Sequence, residues 1–343
     1  MRKLFNTLYV TTQETYLSRE RETIAVNLPD GSKRRFPLHN LDSIVCFGNI
    51  RISPYLIGAC GDNGISISYL TEYGKFLGRF VGHVNGNVLL RREQYRSADS
   101  HDTRLDIAGN MLIGKFSNSN TVLKRFLRDN GENPHTAELQ RIIEILSRKI
   151  VSIKHCDSVE SLRGIEGESA ALYYSMFDHL ILQQKSDFQF RGRSRRPPLD
   201  AVNSLLSFLY TLIHHDISSA CESVGLDPAV GYLHVDRPGR NSLALDIMEE
   251  FRAFLADRIT LSLINRRQIS LKDFTFHSCG AVTLSDKAKK ILLETYQARK
   301  RETITHSYLQ EKMQIGVLYF YQALLLSRFL RGDIDGYPPF IWR

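Results

Sequence analysis

The chain has 343 residues, 43% of them hydrophobic and 24% charged, a balance that allows two packed domains and excludes both a disordered and a fibrous architecture. The formal net charge of +8 favours polyanionic partners without specifying them. The cysteines (Cys46, Cys60, Cys156, Cys221 and Cys279) include no C-x-x-C pair, against both a disulfide framework and a cysteine zinc site; neither a signal-peptide pattern nor a bilayer-length apolar run is present, so a cytoplasmic protein without a membrane partner is expected.

In chain order, Leu8–Thr12 and Thr23–Val26 are rich in β-branched and aromatic residues and predict strands. Pro29-Asp30-Gly31-Ser32 is turn chemistry. Phe36–Leu38 and Ser43–Gly48 predict two more strands, and a short helix over about 53–60 leads to the alternating segment Ile65–Tyr69. The glycine-punctuated stretch 74–86 predicts a last strand or hairpin running into a linker. From about residue 92 the apolar period becomes 3.6, predicting helices over roughly 100–130, 137–151, 158–183, 200–223, 243–264, 286–300 and 305–331. The expected fold class is therefore α+β in two domains. A small β-sandwich-like domain over 1–85 is joined by a linker, 86–99, to a larger all-α catalytic domain over 100–343.

Three segments of the helical region carry candidate chemistry. In Leu162-Arg163-Gly164-Ile165-Glu166-Gly167-Glu168, Glu166 falls on the apolar face of a helix that Asp157 can cap, whereas Glu168 points away. An inward carboxylate needs a cation or a donor, and glycines at 164 and 167 suit close approach by backbone, nucleic acid or another helix. The plainer reading is a half-exposed Glu166 paired with Arg163. The second segment, Gly225-Leu226-Asp227-Pro228 with Gly231, delivers His234 at the start of a connection. Taken alone, a loop histidine is more often a packing or surface residue. In the third, Asp246-Ile247-Met248-Glu249-Glu250-Phe251-Arg252, a regular helix would put Asp246, Glu249 and Glu250 on one face. Such a face suits a hard cation, and a histidine beside it tilts the choice toward Mn²⁺ without excluding Mg²⁺; a solvated acidic face is the plainer alternative. Around these acids, Arg191, Arg193, Arg195 and Arg196, with Phe188 and Phe190 interleaved, form a loop suited to phosphate contact and base stacking.

Together these segments resemble the integrase/endonuclease family of CRISPR spacer acquisition, the Cas one family. The resemblance covers essentially the whole chain. It rests on Gly164-Ile165-Glu166-Gly167, on Gly225-Leu226-Asp227-Pro228 with Gly231 and His234, and on Asp246-Ile247-Met248-Glu249-Glu250-Phe251-Arg252. Asn87 to Gln94, the helix with Lys115 and Asn118, and Arg196-Pro197 with Asp200, Asn203 and Tyr210 are similar as well. The ending Tyr337-Pro338-Pro339-Phe340-Ile341-Trp342-Arg343 looks like the I-C branch. Leu245 stands where some members carry tyrosine, so no aromatic role transfers to it.

The resemblance implies Glu166, His234 and Glu249 as ligands of Mg²⁺ or Mn²⁺. It also implies Asp246 as an auxiliary carboxylate, Arg252 as a phosphate contact and Asn203 as a residue supporting the ligands from behind. It further implies a homodimer formed through the N-terminal domain, a small companion protein of the Cas two family, and double-stranded DNA, both captured fragment and CRISPR repeat, as substrate. The reaction expected is attack by a 3′-hydroxyl on repeat DNA, with water giving nuclease activity from the same site. A general metal-dependent repair nuclease and a non-catalytic architectural DNA binder are the alternatives. Rejoining of branched DNA separates the first and insensitivity to chelators the second.

Overall fold

The structure is a computed structural model and describes residues 6–80, 82, 88–131 and 134–342. Residues 83–87, where the expected hairpin runs into the expected linker and where the Asn87 resemblance begins, lie outside them. The chain forms two compact units, Met1–Gly86 and Asn87–Arg343.

In the first unit, β1 (Thr7–Val10), β2 (Tyr16–Glu20), β3 (Thr23–Asn27), β4 (Lys33–Pro37), β5 (Ser43–Phe47) and β6 (Arg51–Ile52) precede helix α1 (Pro54–Asp62), followed by β7 (Ser66–Leu70) and β8 (Phe76–Phe80). They make two four-stranded sheets, ordered β4-β3-β2-β6 and β1-β5-β7-β8. Leu17, Ile24 and Val26 of one sheet and Ile44, Cys46 and Ile67 of the other join Leu56 and Cys60 of α1 in one core. Ser53 starts α1 by accepting a hydrogen bond from Leu56 N at 3.2 Å, and Pro54 fills the first helical position, where its missing N–H costs nothing.

The expected class, a β-sandwich-like domain followed by an all-α domain, is corrected here to a mixed α/β fold. Strands β1, β5 and β7 run parallel, and α1 lies in the connection that carries the chain from β5 back to a parallel β7. Parallel pairing depends on that crossover, and short apolar strands look alike whichever way their neighbours run. Strand β2 was not anticipated at all: Arg19 and Glu20 disguise a segment whose inward residue is the fully buried Leu17.

The second unit is mostly helical but not all-α. It begins with α2 (Val88–Asp99), so most of the expected linker is a helix. Then come α3 (His101–Asp129), α4 (Thr136–Ile153), α5 (Val159–Ser175), α6 (Ala201–Ser223), α7 (Ser242–Met248) and α8 (Arg258–Asn265). The hairpin β9 (Phe274–Phe276) and β10 (Val282–Leu284), helix α9 (Asp286–Arg301), the hairpin β11 (Thr303–Thr305) and β12 (Lys312–Gln314), and α10 (Leu318–Leu330) complete it. The helix expected over 305–331 therefore starts only at Leu318; Thr303-Ile304-Thr305, with three β-branched residues in a row, takes the strand form instead.

Helix α6 is buried along most of its length through residues such as Leu205, Leu209, Ile213 and Ile217, which makes it a central helix of this unit. Asp200 caps it, accepting from Asn203 N at 2.7 Å. The helix expected over 243–264 is interrupted. Helix α7 ends at Met248, Arg252–Asp257 is π-helical, and α8 resumes the regular form. A π turn inserts extra backbone and re-aims the side chains on either side of it, and here it follows directly on the acidic segment.

Candidate active site

Three segments distant in sequence meet within the second unit. Helix α5 presents Glu166, the connection after α6 presents His234, and the end of α7 presents Glu249. Helix α5 is capped by Ser158, which accepts from Ser161 N at 3.3 Å, rather than by Asp157. Arg163 does not pair with Glu166: it binds Glu160 at 2.9 Å and donates to Leu233 O at 2.7 Å, tying α5 to the residue before His234. Glu168 points away, to Lys149.

Asp246 is fully buried and acts as the frame for His234. Its carboxylate accepts from Tyr232 N at 2.6 Å, Leu233 N at 3.0 Å and His234 N at 2.9 Å, and it lies 2.5 Å from His234 Nδ1. With the Nδ1 proton given to Asp246, the lone pair of the imidazole sits on Nε2, which stands 3.9 Å from Glu249 Oε1. Gly231 is required for this packing. A Cβ there would fall 2.7 Å from Ser242 Cβ and 2.9 Å from Asp246 Oδ2.

Glu249 is 2% exposed and surrounded by cations. Burial by itself raises its pKa, but Arg252, Lys115 and His234 outweigh burial and bring it down to about 2. Arg252 forms an ion pair with Oε1 at 2.9 Å. Lys115, reaching in from α3, bonds to Glu166 and lies 2.8 Å from Glu249 Oε2. That approach is off the line of a hydrogen bond, so Oε2 is a buried acceptor in ion-pair contact only.

Glu250 does not share the face expected of it. Its carboxylate accepts from Tyr337 Oη at 2.5 Å, Gln322 Nε2 at 2.8 Å and Phe340 N at 2.7 Å, so it anchors the C-terminal tail. Burial pushes its pKa up to about 8 against those three hydrogen bonds.

The family model described as CRISPR associated protein Cas1 matches residues 8–298. A CRISPR-associated endonuclease Cas1 of Chlorobaculum tepidum is 51% identical over 343 residues, all of both chains. The chain belongs to the Cas1 family. Among solved structures, a CAS1 protein from Thermotoga maritima superposes with a TM-score of 0.81 at 26% identity, covering 96% of this chain and 97% of that one. A casposase bound to integration product, 20% identical, shares the fold with a TM-score of 0.83, covering 99% and 95%.

The Cas1 chain's own donors fit a hard divalent cation. The Glu166 and Glu249 carboxylates face one another across the Lys115 ammonium, Glu249 Oε2 being buried without a hydrogen bond, and the His234 imidazole, whose tautomer Asp246 fixes, stands 3.9 Å from the other oxygen of Glu249. Sequence reasoning gave Lys115 no role between the acids. Its signal was available: with Leu112 and Ser119 it occupies the buried stripe of α3, where a lysine must meet an acid.

The arginine loop divides. Arg191, Arg195 and Arg196 are exposed. Arg193 is engaged, donating to Asn203 Oδ1 at 2.6 Å and Ser207 Oγ at 3.1 Å, and lying over the Tyr210 ring. Asn203, which the resemblance sets behind the ligands, instead pins this loop through Arg193, Ser194 N and Gly192 O. Phe188 and Phe190 are buried, so the base-stacking role expected of them is corrected to core packing; Phe190 packs 4.9 Å from Phe177. A cleft lined by Lys115, Glu166, Ser169, Tyr173, Arg195 and Arg252 adjoins a groove lined by Ser175, Arg191 and Arg193, and Ala170, Tyr174 and Arg195 line both. Arg252 lies over Tyr210, whose hydroxyl donates to the buried Asp257 at 2.8 Å. Asp257, which burial raises to about 6, was not anticipated in any role. Among the described residues no helix is long and apolar enough to cross a membrane.

Proposed function

We propose that this Cas1-family endonuclease is the integrase that inserts captured DNA into a CRISPR repeat. In this reading Glu166, His234 and Glu249 hold Mg²⁺ or Mn²⁺. The observation that carries the assignment is the Lys115 cation drawn between the Glu166 and Glu249 carboxylates, with His234, oriented by Asp246, 3.9 Å from Glu249.

A divalent ion held there supplies Lewis-acid stabilisation of charge on the phosphoryl group. The chain does the rest. Asp246 keeps the Nδ1 proton and so holds the His234 Nε2 lone pair inward. Arg252 fixes one oxygen of Glu249, and its own Nε is buried with no hydrogen-bond partner among the described residues, a donor in reserve for a phosphate oxygen. Lys115 gives up its place between the carboxylates and becomes a second phosphate contact. The 3′-hydroxyl oxygen of the captured strand bonds to phosphorus as the bridging oxygen of the repeat strand leaves; water in place of that hydroxyl gives hydrolysis.

DNA enters along the groove beside Arg191 and Arg195. The open space next to Gly164 and Gly167, where among the described residues nothing beyond the adjoining residues and backbone of α5 itself comes within 4 Å of a Cβ, gives a backbone room to approach α5. The β domain supplies the dimer. Its β4 edge carries Lys33, Arg34, Arg35 and Pro37, which discourage strand addition, whereas the β8 edge leaves Phe76 and Leu77 49% and 60% exposed. A second copy pairing there about a two-fold axis, with the small companion protein of the Cas two family joining the two copies, gives two sites for the two ends of one duplex.

Half-site integration into a supercoiled plasmid bearing the repeat tests the reading. Strand transfer should require a divalent metal and rise with the companion protein. Hydrolysis without any joined product would overturn integration in favour of a plain nuclease.

A further inference from the structure

A second set of metal-binding side chains lies beyond the C-terminal end of α5. His135 precedes the first turn of α4, Glu138 follows it one turn on, and His179 sits on the 3-10 turn Phe177–Leu180. One donor atom of each lies within 4.8 Å of the other two. The two imidazoles stack, with centroids 3.6 Å apart and planes inclined by 29°, and His135 Nδ1 is 3.9 Å from Glu138 Oε2.

Two features separate this cluster from an ordinary surface group. First, His179 Nδ1 is buried and has no hydrogen-bond partner among the described residues. A bare ring nitrogen in that position is costly unless something fills it. Second, rings stacked this closely cannot both carry charge. A neutral imidazole with its lone pair available is the form a metal takes.

We propose that His135, Glu138 and His179 form a second metal site that takes Zn²⁺ or a similar first-row ion and clamps the start of α4 to the end of α5. Two imidazole nitrogens and one carboxylate are a nitrogen-rich set that suits zinc over magnesium. Metal–ligand bonds of about 2.0–2.2 Å require the three donors to draw together by roughly an ångström and the stacked rings to turn until their in-plane lone pairs meet at one point. The half-exposed side chains of His135 and Glu138, at 39% and 56% exposure, have room for that movement. The positive end of the α4 dipole works against a cation here, and Glu138 together with Asp178 works for it. The fourth position is left to water. Because α5 also carries Glu166, the clamp stiffens the helix that presents an active-site acid, and its role is structural.

The test uses the full chain carrying Glu166→Ala and His234→Ala, which disables the first site. After chelation, Zn²⁺ is titrated by competition with a chromophoric chelator, and thermal melting is recorded alongside. The expected result is one Zn²⁺ per chain at micromolar affinity or tighter, with a higher melting temperature. Binding should fall at least tenfold in His179→Ala and in His135→Ala and be untouched in His155→Ala, which alters an exposed histidine outside the cluster. Glu138→Gln, at a side chain exposed enough to leave the fold alone, should weaken binding several-fold and so keeps the test valid if a histidine variant misfolds. Affinity no better than millimolar with the cluster intact, or equal binding in the cluster variants and His155→Ala, would overturn the proposal.

Discussion

Glu249 and Glu250 are neighbours in sequence, equally buried, and opposite in chemistry. Around Glu249 stand Arg252, Lys115 and the His234 ring, and the carboxyl is brought down to about 2. Around Glu250 stand a phenol, an amide and a backbone N–H, all neutral, and burial lifts it to about 8. What separates a candidate metal ligand from a structural strut is therefore the charge of the neighbours, not depth. The break between α7 and the π-helical turn is where the chain sends two adjacent acids to different partners.

Variants can break that comparison, and the largest effect should be on catalysis. Glu166→Ala, at a half-exposed carboxylate on the Glu249 side of the divide, should lower Mn²⁺-dependent cleavage and strand transfer by about a thousandfold, roughly 4 kcal/mol of transition-state stabilisation. Its melting temperature should barely move. Activity within tenfold of wild type would remove Glu166 from the site. Glu250→Ala should do the reverse. It strands three buried donors at once and should cost about 3–5 kcal/mol in urea unfolding. Well below the urea transition, cleavage by the folded fraction should remain.

The two acids also predict opposite pH responses of the metal-free protein. Glu250 is raised in the folded state, so its contribution is complete below about pH 4.5 and is lost as pH rises through about 8, at most roughly 5 kcal/mol. Glu249 is depressed, so its contribution is complete above about 4.5 and is lost as pH falls toward about 2. Glu250→Gln cannot ionise and should flatten the alkaline decline, measured as urea midpoints between pH 2 and pH 9, while leaving the acid limb in place. An unchanged alkaline limb in that variant would assign the decline to another group.

The smallest effect sharpens the arginine loop. Neutralising Arg191, Arg195 and Arg196 should reduce the log–log salt slope of DNA binding by about one for each phosphate the loop no longer neutralises. Arg193→Gln should instead lower stability by about 1–3 kcal/mol, because it breaks the hydrogen bonds to Asn203 and Ser207. A salt slope unchanged in the triple variant would leave those arginines as plain surface.

How much of this was legible in the sequence differs by level. The three segments stood out by their punctuation, glycines around Glu166, Gly225 and Pro228 before His234, and clustered acids at 246–250, but only the family resemblance picked Glu166, His234 and Glu249 as the ligand set. What could not be read was which of the clustered acids faced which partner. That choice depends on the π turn at Arg252–Asp257 and on a tail almost ninety residues away, neither of which leaves a periodic trace. Lys115 was visible as an inward lysine but had no visible acid. In the fold, the helices α3, α4 and α6 announced themselves by length and period. The parallel pairing of β1, β5 and β7 and the short hairpins β9–β10 and β11–β12 did not, because three- to five-residue strands carry too little pattern to reveal direction or even presence.

The central claim is that Glu166, His234 and Glu249 hold one divalent ion whose place Lys115 occupies in its absence. Calorimetric titration of the full chain with Mn²⁺, in wild type, in each ligand variant and in Lys115→Met, tests it most directly. The account predicts an active-site binding event that weakens at least tenfold in Glu166→Ala, His234→Ala and Glu249→Ala. The same event should strengthen in Lys115→Met, where two carboxylates are left facing each other with no competing ammonium. Mn²⁺ affinity unaltered by the three ligand variants, or reduced by Lys115→Met, would contradict it.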